Sequence, residues 1–136
     1  MIHTRMKLAL QAACVAALAT LGLWPVAAQA PGLALLDRLT PGQWELRDRS
    51  GAPTQRICVK SGRQFIQLRH RGQSCKRIAI ENSPNQVTVQ FTCRMKGYGR
   101  TSIRRESPSL VQIEGQGISN KNHYEFAAEA RRISGC

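Results

Sequence analysis

Apolar and polar residues alternate along most of the chain beyond residue 40, a period of two that predicts strands rather than helices. In Gln43–Arg49, Trp44, Leu46 and Asp48 fall on one side, and Glu45, Arg47 and Arg49 on the other. Thr40-Pro41-Gly42 before that segment cannot continue a helix, and Ser50-Gly51-Ala52-Pro53 after it is turn chemistry. The stretch LTPGQWELRDRSGAP is therefore expected to be turn, edge-like strand, turn, with a hairpin partner at Gln55–Val59. Further strands are expected at Arg77–Glu81, Gln86–Arg94, Tyr98–Glu106 and Leu110–Glu114. Val87, Val89, Phe91 and Cys93 face one way in the second of these, and Ser83-Pro84-Asn85 and Ser107-Pro108-Ser109 supply turns, so an antiparallel meander is predicted.

Two segments read differently. Ser61-Gly62-Arg63-Gln64 has the S-x-x-Q form of a capping box, which predicts a short helix from Gly62 to about Arg69. In His123–Ile133, three alanines and two glutamates favour helix by propensity, whereas Tyr124, Phe126, Ala128 and Ala130 alternate with their neighbours. Strand is the preferred reading. The expected fold is mainly β: one antiparallel, curved or meander sheet of about six to seven strands with one short helix and two disulfides.

The first residues add a compartment. Arg5 and Lys7, an uncharged run from Leu8 to Leu23, and small residues around Val26, Ala28 and Ala30 form the three-part pattern of a secretory signal peptide. Residues 1–28 are assigned to it, with cleavage before Gln29, because Pro31 would sit awkwardly behind a cut after Ala30. An uncleaved anchor fits less well, since Pro25 and the small residues after it resemble a processing site. A lipoprotein reading of Leu10–Cys14 follows too short an apolar core. Residues 29–136 are then a single domain of typical size, in the periplasm or secreted, with no transmembrane span in the mature chain.

Export places Cys58, Cys75, Cys93 and Cys136 in an oxidising space, and their spacing contains no C-x-x-C. Two structural disulfides are expected rather than a metal site or redox centre. Of the three connectivities, Cys58 with Cys75 and Cys93 with Cys136 is preferred, because the first pair brackets one short segment and the second ties the last residue back to a strand.

Loss of Arg5 and Lys7 lowers the formal charge from +12 to +10, still a surplus that attracts polyanions and anionic membrane faces. The candidate anion-binding residues are Arg69, Arg71, Lys76 and Arg77 in one basic run, and Arg94, Lys96, Arg100, Arg104 and Arg105 in another. Arginine meets phosphate and carboxylate bidentately. Lys96-Gly97-Tyr98-Gly99 opens like an RNA-recognition strand, but Arg100 and Ile103 stand where aromatics are needed, so a glycine-flexed hairpin is expected and specific nucleic-acid binding is not. His70 and His123 lack any neighbouring nucleophile motif, and the carboxylates are scattered. No catalytic residue, cofactor or metal is expected, and the protein is not read as an enzyme. Trp44 and Tyr124 are read as core anchors rather than the lining of a ligand groove.

The P-G-Q-W-E start at Pro41–Glu45, the four spaced cysteines and the closing Ser134-Gly135-Cys136 together resemble domain-of-unknown-function family 3617, small exported bacterial proteins. The similarity runs from about Leu36 to Cys136. It implies a periplasmic, mostly antiparallel β domain and carries over no catalytic residue. The expected function is docking of an anionic cell-envelope component through an arginine-rich face. A protein-partner accessory module and a small-molecule carrier with a cavity under the sheet are the alternatives.

Overall fold

The computed structural model describes residues 32–136, so the expected leader and its cleavage point lie outside the described residues. Seven strands form one antiparallel sheet: β1 (Gly42–Asp48), β2 (Gln55–Val59), β3 (Cys75–Asn82), β4 (Gln86–Cys93), β5 (Gly97–Ser107), β6 (Leu110–Ser119) and β7 (Asn122–Ser134). The order across the sheet is β2-β1-β7-β6-β5-β4-β3. β3 to β7 run as a meander, and the β1–β2 hairpin is added beyond the last strand. β1 is therefore not the edge strand its charged side suggested. Glu45 and Arg47 point to solvent across the sheet, while the strand's backbone is bonded on both flanks, to β2 and to β7. Among the described residues no helix is long and apolar enough to cross a membrane.

β7 is a strand despite its alanines. Its inward residues match the holes that glycines leave in β6: Tyr124 lies opposite Gly117 and Phe126 opposite Gly115. A Cβ on Gly115 would collide with the Phe126 ring, and one on Gly99 with the Tyr124 hydroxyl. These aromatic-over-glycine pairs explain why β6 continues to Ser119, past the expected Glu114. The glycines weaken the strand signal in sequence but are required by the rings across from them.

The inner face packs on a single helical turn, α1 (Ala34–Asp37), and a 3-10 helix (Gly62–Gln67). The capping box is present, Gln64 Oε1 accepting from Ser61 N at 3.1 Å and Ser61 Oγ from Arg63 N at 3.3 Å. The helix is 3-10 and stops at Gln67, short of the expected Arg69. Thr101 Oγ1 on β5 donates to the Ile66 carbonyl at 2.7 Å, and His70 N bonds back only three residues to Gln67 O. An α-helix would need that Ile66 carbonyl for its own ladder. α1 was not expected from the sequence; four residues are too few to show a period, but Leu35 and Leu36 are fully buried by it.

Trp44 is a core residue, as expected. Its ring meets Phe65 edge-on at 5.2 Å, and its Nε1 donates to Thr40 O at 3.0 Å. Around it pack Val59 and Ile66 from the hairpin and helix, and Val87, Val89, Phe91, Ile103, Val111 and Ile113 from the meander. Gly42 sits at φ +147°, where a Cβ would strike the Ser134 carbonyl, and Arg132 Nε donates to Pro41 O at 2.8 Å. The P-G-Q-W-E motif thus begins a fold: it seats the first strand against the last.

The disulfides are Cys75–Cys93 and Cys58–Cys136, which corrects the preferred pairing. Cys75 and Cys93 face each other in the β3–β4 register, with Cα atoms 4.1 Å apart. Cys58 of β2 lies opposite Gln43 of β1, and Gln43 lies opposite Ser134 of β7. β1 begins at Gly42, so the tail after Ser134 passes that beginning and reaches Cys58 at a Cα separation of 5.8 Å. Proximity in sequence pointed to the wrong partners because the strand order places β2 beside the chain end.

On the chain-entropy account, closing separations of 18 and 78 residues stabilises by about 3 and about 4.5 kcal/mol. Non-reducing peptide mapping is expected to recover only these two bridges. In urea titrations, Cys58→Ser with Cys136→Ser should cost more stability than Cys75→Ser with Cys93→Ser.

Candidate anion-binding site

Successive strand residues point to opposite faces, so basic residues adjacent in sequence are separated in space. Arg77 lies opposite the buried Phe91 and points inward, whereas Lys76, opposite Thr92, points outward. Arg104 lies opposite Gln112 on the outer face, and Arg105 opposite the buried Val111 on the inner side, its Nε buried without a partner. Arg100 stands on the outer face between Gln90 and Gln116. Arg94 and Lys96 are exposed in the β4–β5 turn. Arg69 lies over the Phe126 ring, 5.2 Å from its centroid. The nine candidate residues do not share one face.

Two of them, Arg71 and Arg77, meet in a groove with two arginines that the sequence reading did not single out, Arg56 and Arg63. The open groove, about 760 Å³, runs along the 3-10 helix. One side is Arg56–Cys58 of β2, the other Arg77 of β3, and the loop Arg71–Ser74 closes one end. β2 and β3 are the outermost strands of the sheet. The sheet curls until its two ends flank the helix lodged between them, and only that curvature assembles the site.

The four guanidiniums differ in what holds them. Arg63 is paired fork-to-fork with Asp37, Nε to Oδ1 and Nη2 to Oδ2 both at 2.9 Å. That contact raises the Arg63 pKa and lowers that of Asp37. Arg56 reaches Glu45 at 3.3 Å, but the same carboxylate accepts from Arg47 at 2.8 Å. Arg71 and Arg77 have no carboxylate partner among the described residues. Arg77 donates through Nε (2.6 Å) and Nη2 to Gln67 Oε1. Burial lowers its pKa from the ordinary arginine value, and the Arg63 charge across the groove lowers it further. Gln67 is in turn fixed by its own amide, donating to Gln73 O and Cys75 Sγ, each at 3.1 Å. Gln64 spends its side-chain oxygen on the capping box, which leaves its amide hydrogens at the groove. Converging cations with neutral donors between them suit a phosphate or carboxylate.

The remaining candidates take structural places. His70 is fully buried, its Nε2 donating to Ile118 O at 2.9 Å between the rings of Phe91 and Tyr124. His123 is exposed and lies opposite Ile118 on the other face of the sheet. Tyr124 is half-buried beside His70, and that burial raises its phenol pKa while Arg69 opposes the rise. The Lys96-Gly97-Tyr98-Gly99 segment enters β5 from the β4–β5 turn, with Met95 at φ 61° and Gly97 at φ 112°. The described residues contain no group of three or more His, Cys, Asp or Glu placed to hold a metal ion.

Comparison with family models, with curated proteins and with solved structures finds no match. The resemblance to family 3617 therefore rests on its quoted residues alone.

Three carboxylates lie below their ordinary pKa: Asp37 through Arg63, Glu45 through Arg47, and Asp48 through the hydroxyl and amide of Ser50. A depressed folded pKa contributes stability above the unfolded value, near 4, and loses it as pH falls through the folded value. The urea midpoint should therefore fall as pH drops below about 4, and Asp37→Asn should flatten part of that fall.

Proposed function

We propose that the protein is an exported domain that acts by binding, and that it docks a phosphate- or carboxylate-bearing component of the cell envelope in the groove between β2 and β3. The observation that carries this reading is the pair Arg71 and Arg77, which line one groove without a carboxylate partner among the described residues. The export pattern at residues 1–28, the excess of basic residues and the resemblance to family 3617 support the location. The outer-face Arg100, which has no carboxylate partner among the described residues, is assigned to long-range attraction rather than to the site. A protein-partner module has one observation in its favour: Ile78 and Ile80 are exposed on β3, whose far edge is unpaired within the sheet.

Titration with purified lipopolysaccharide tests the groove. Affinity should fall steeply as salt rises, because ion contacts are screened and counterions are released on binding. A charged hydrogen-bonded contact contributes about 1.5–3 kcal/mol, so Arg71→Glu should weaken binding at least about tenfold. Arg100→Glu should change it much less. Equal affinity for Arg71→Glu and the parent chain, or binding indifferent to salt, would overturn the proposal, and salt-tolerant binding lost on Ile78→Lys would favour the partner module.

A further inference from the structure

Next to the arginine groove lies a second, smaller hollow of about 110 Å³, beneath the β1–β2 loop. Its floor is apolar: Leu46 and Ala128 from the inner face, Leu68 after the 3-10 helix, and the Phe126 ring. Ala52 and Pro53 of the β1–β2 loop stand at its mouth. Its polar rim is Arg69, Arg71, Asp48 and Gln55. Arg71 and Leu68 line both this hollow and the groove. Arg69 is held over Phe126, and the Asp48 carboxylate is occupied by Ser50 N at 2.8 Å. A cationic rim over an apolar floor suits an anion whose charged group carries an apolar chain.

We infer that the component bound in the groove is such an amphiphile, a lipid-like phosphate monoester with its charged group at Arg71 and the first carbons of its chain in the hollow. This rests on the groove being an anion site and adds what lies beside the charge. At roughly 30 Å³ for a group the size of water, the hollow holds about three or four methylene-sized groups. Each buried methylene should strengthen binding about fourfold.

The test is calorimetric titration of the full mature chain with inorganic phosphate and with ethyl, butyl and octyl phosphate, kept below the concentrations at which they form micelles. Affinity is expected to rise about fourfold per methylene up to about four carbons and then level off. Ala52→Phe places a ring at the mouth from an exposed loop position. It should abolish the chain-length dependence and leave inorganic phosphate affinity unchanged. Inorganic and butyl phosphate binding equally would overturn the amphiphile and leave the groove as a site for free phosphate. Binding of neither would overturn the phosphate monoester and, with it, the groove as a phosphate site. A chain-length rise that persists in Ala52→Phe would place the chain elsewhere and overturn the assignment to this hollow.

Discussion

The structure depends on the pairing of its first strand with its last. β1 and β7 are bonded from Gln43 opposite Ser134 to Asp48 opposite Ala128, across nearly the whole domain in sequence. Contacts so distant cost the most loop entropy to form, and they are rewarded late. Three features compensate at that seam. Gly42 adopts a backbone conformation that brings it under the Ser134 carbonyl, Arg132 binds the Pro41 carbonyl, and Cys58–Cys136 makes the closure covalent. Without that pairing β2 would have no sheet to extend, and the groove would lose one wall.

The second constraint is the 3-10 helix under the sheet. Its place is fixed from three sides: the Ser61–Gln64 capping box at its start, the Thr101 hydroxyl on Ile66 O near its end, and the Trp44 ring against Phe65. It fills the concavity that a curled sheet of seven strands would otherwise leave empty. A 3-10 helix there also keeps Gln64 and Gln67, three residues apart, on one side with Arg63 beside them, which is why the groove follows it. The room remaining under the sheet near β1 and β7 is the small hollow floored by Leu46 and Phe126.

Alternation carried most of the fold into view. β2 is predicted to the residue, and β1, β3, β4 and β5 to within two residues at either end. Clean period-two burial is what the sequence displays best, as in Val87, Val89, Phe91 and Cys93. The disulfide partners were hidden by a different kind of information. Cys75 and Cys93 lie nine residues either side of Pro84, a symmetry about the expected turn that does point to the hairpin bridge. Nothing local points from Cys58 to Cys136, since that neighbour relation follows from strand order. The basic runs misled for the reason alternation succeeded. Lys76-Arg77 and Arg104-Arg105 look like patches in one dimension, and a strand sends their members to opposite faces. Arg56 and Arg63, each beside an acid in space, gave no signal in sequence because their groove is made by curvature.

Charge on this surface is sorted rather than spread. On the outer face two arginines sit beside acids, Arg104 near Glu106 at 3.2 Å and Arg49 near Glu114 at 3.7 Å, and such exposed pairs contribute little stability. They do cancel the local field. At the groove the nearby acids, Asp37 and Glu45, are each taken up by arginine contacts, and Arg71 and Arg77 are left over. An excess of positive charge steers an anion from within a Debye length, about 10 Å at 0.1 M salt. Holding the anion needs a guanidinium already in position, so that little side-chain freedom is lost on contact. Arg77 is held by Gln67, and Gln67 by the sulfur of Cys75 and the Gln73 carbonyl. The bridge that closes the β3–β4 hairpin therefore also holds the residue that aims Arg77. Reduction of Cys75–Cys93 should loosen the groove before it unfolds the sheet, because β4 stays bonded along its full length to β5 while β3 has no other strand to hold it.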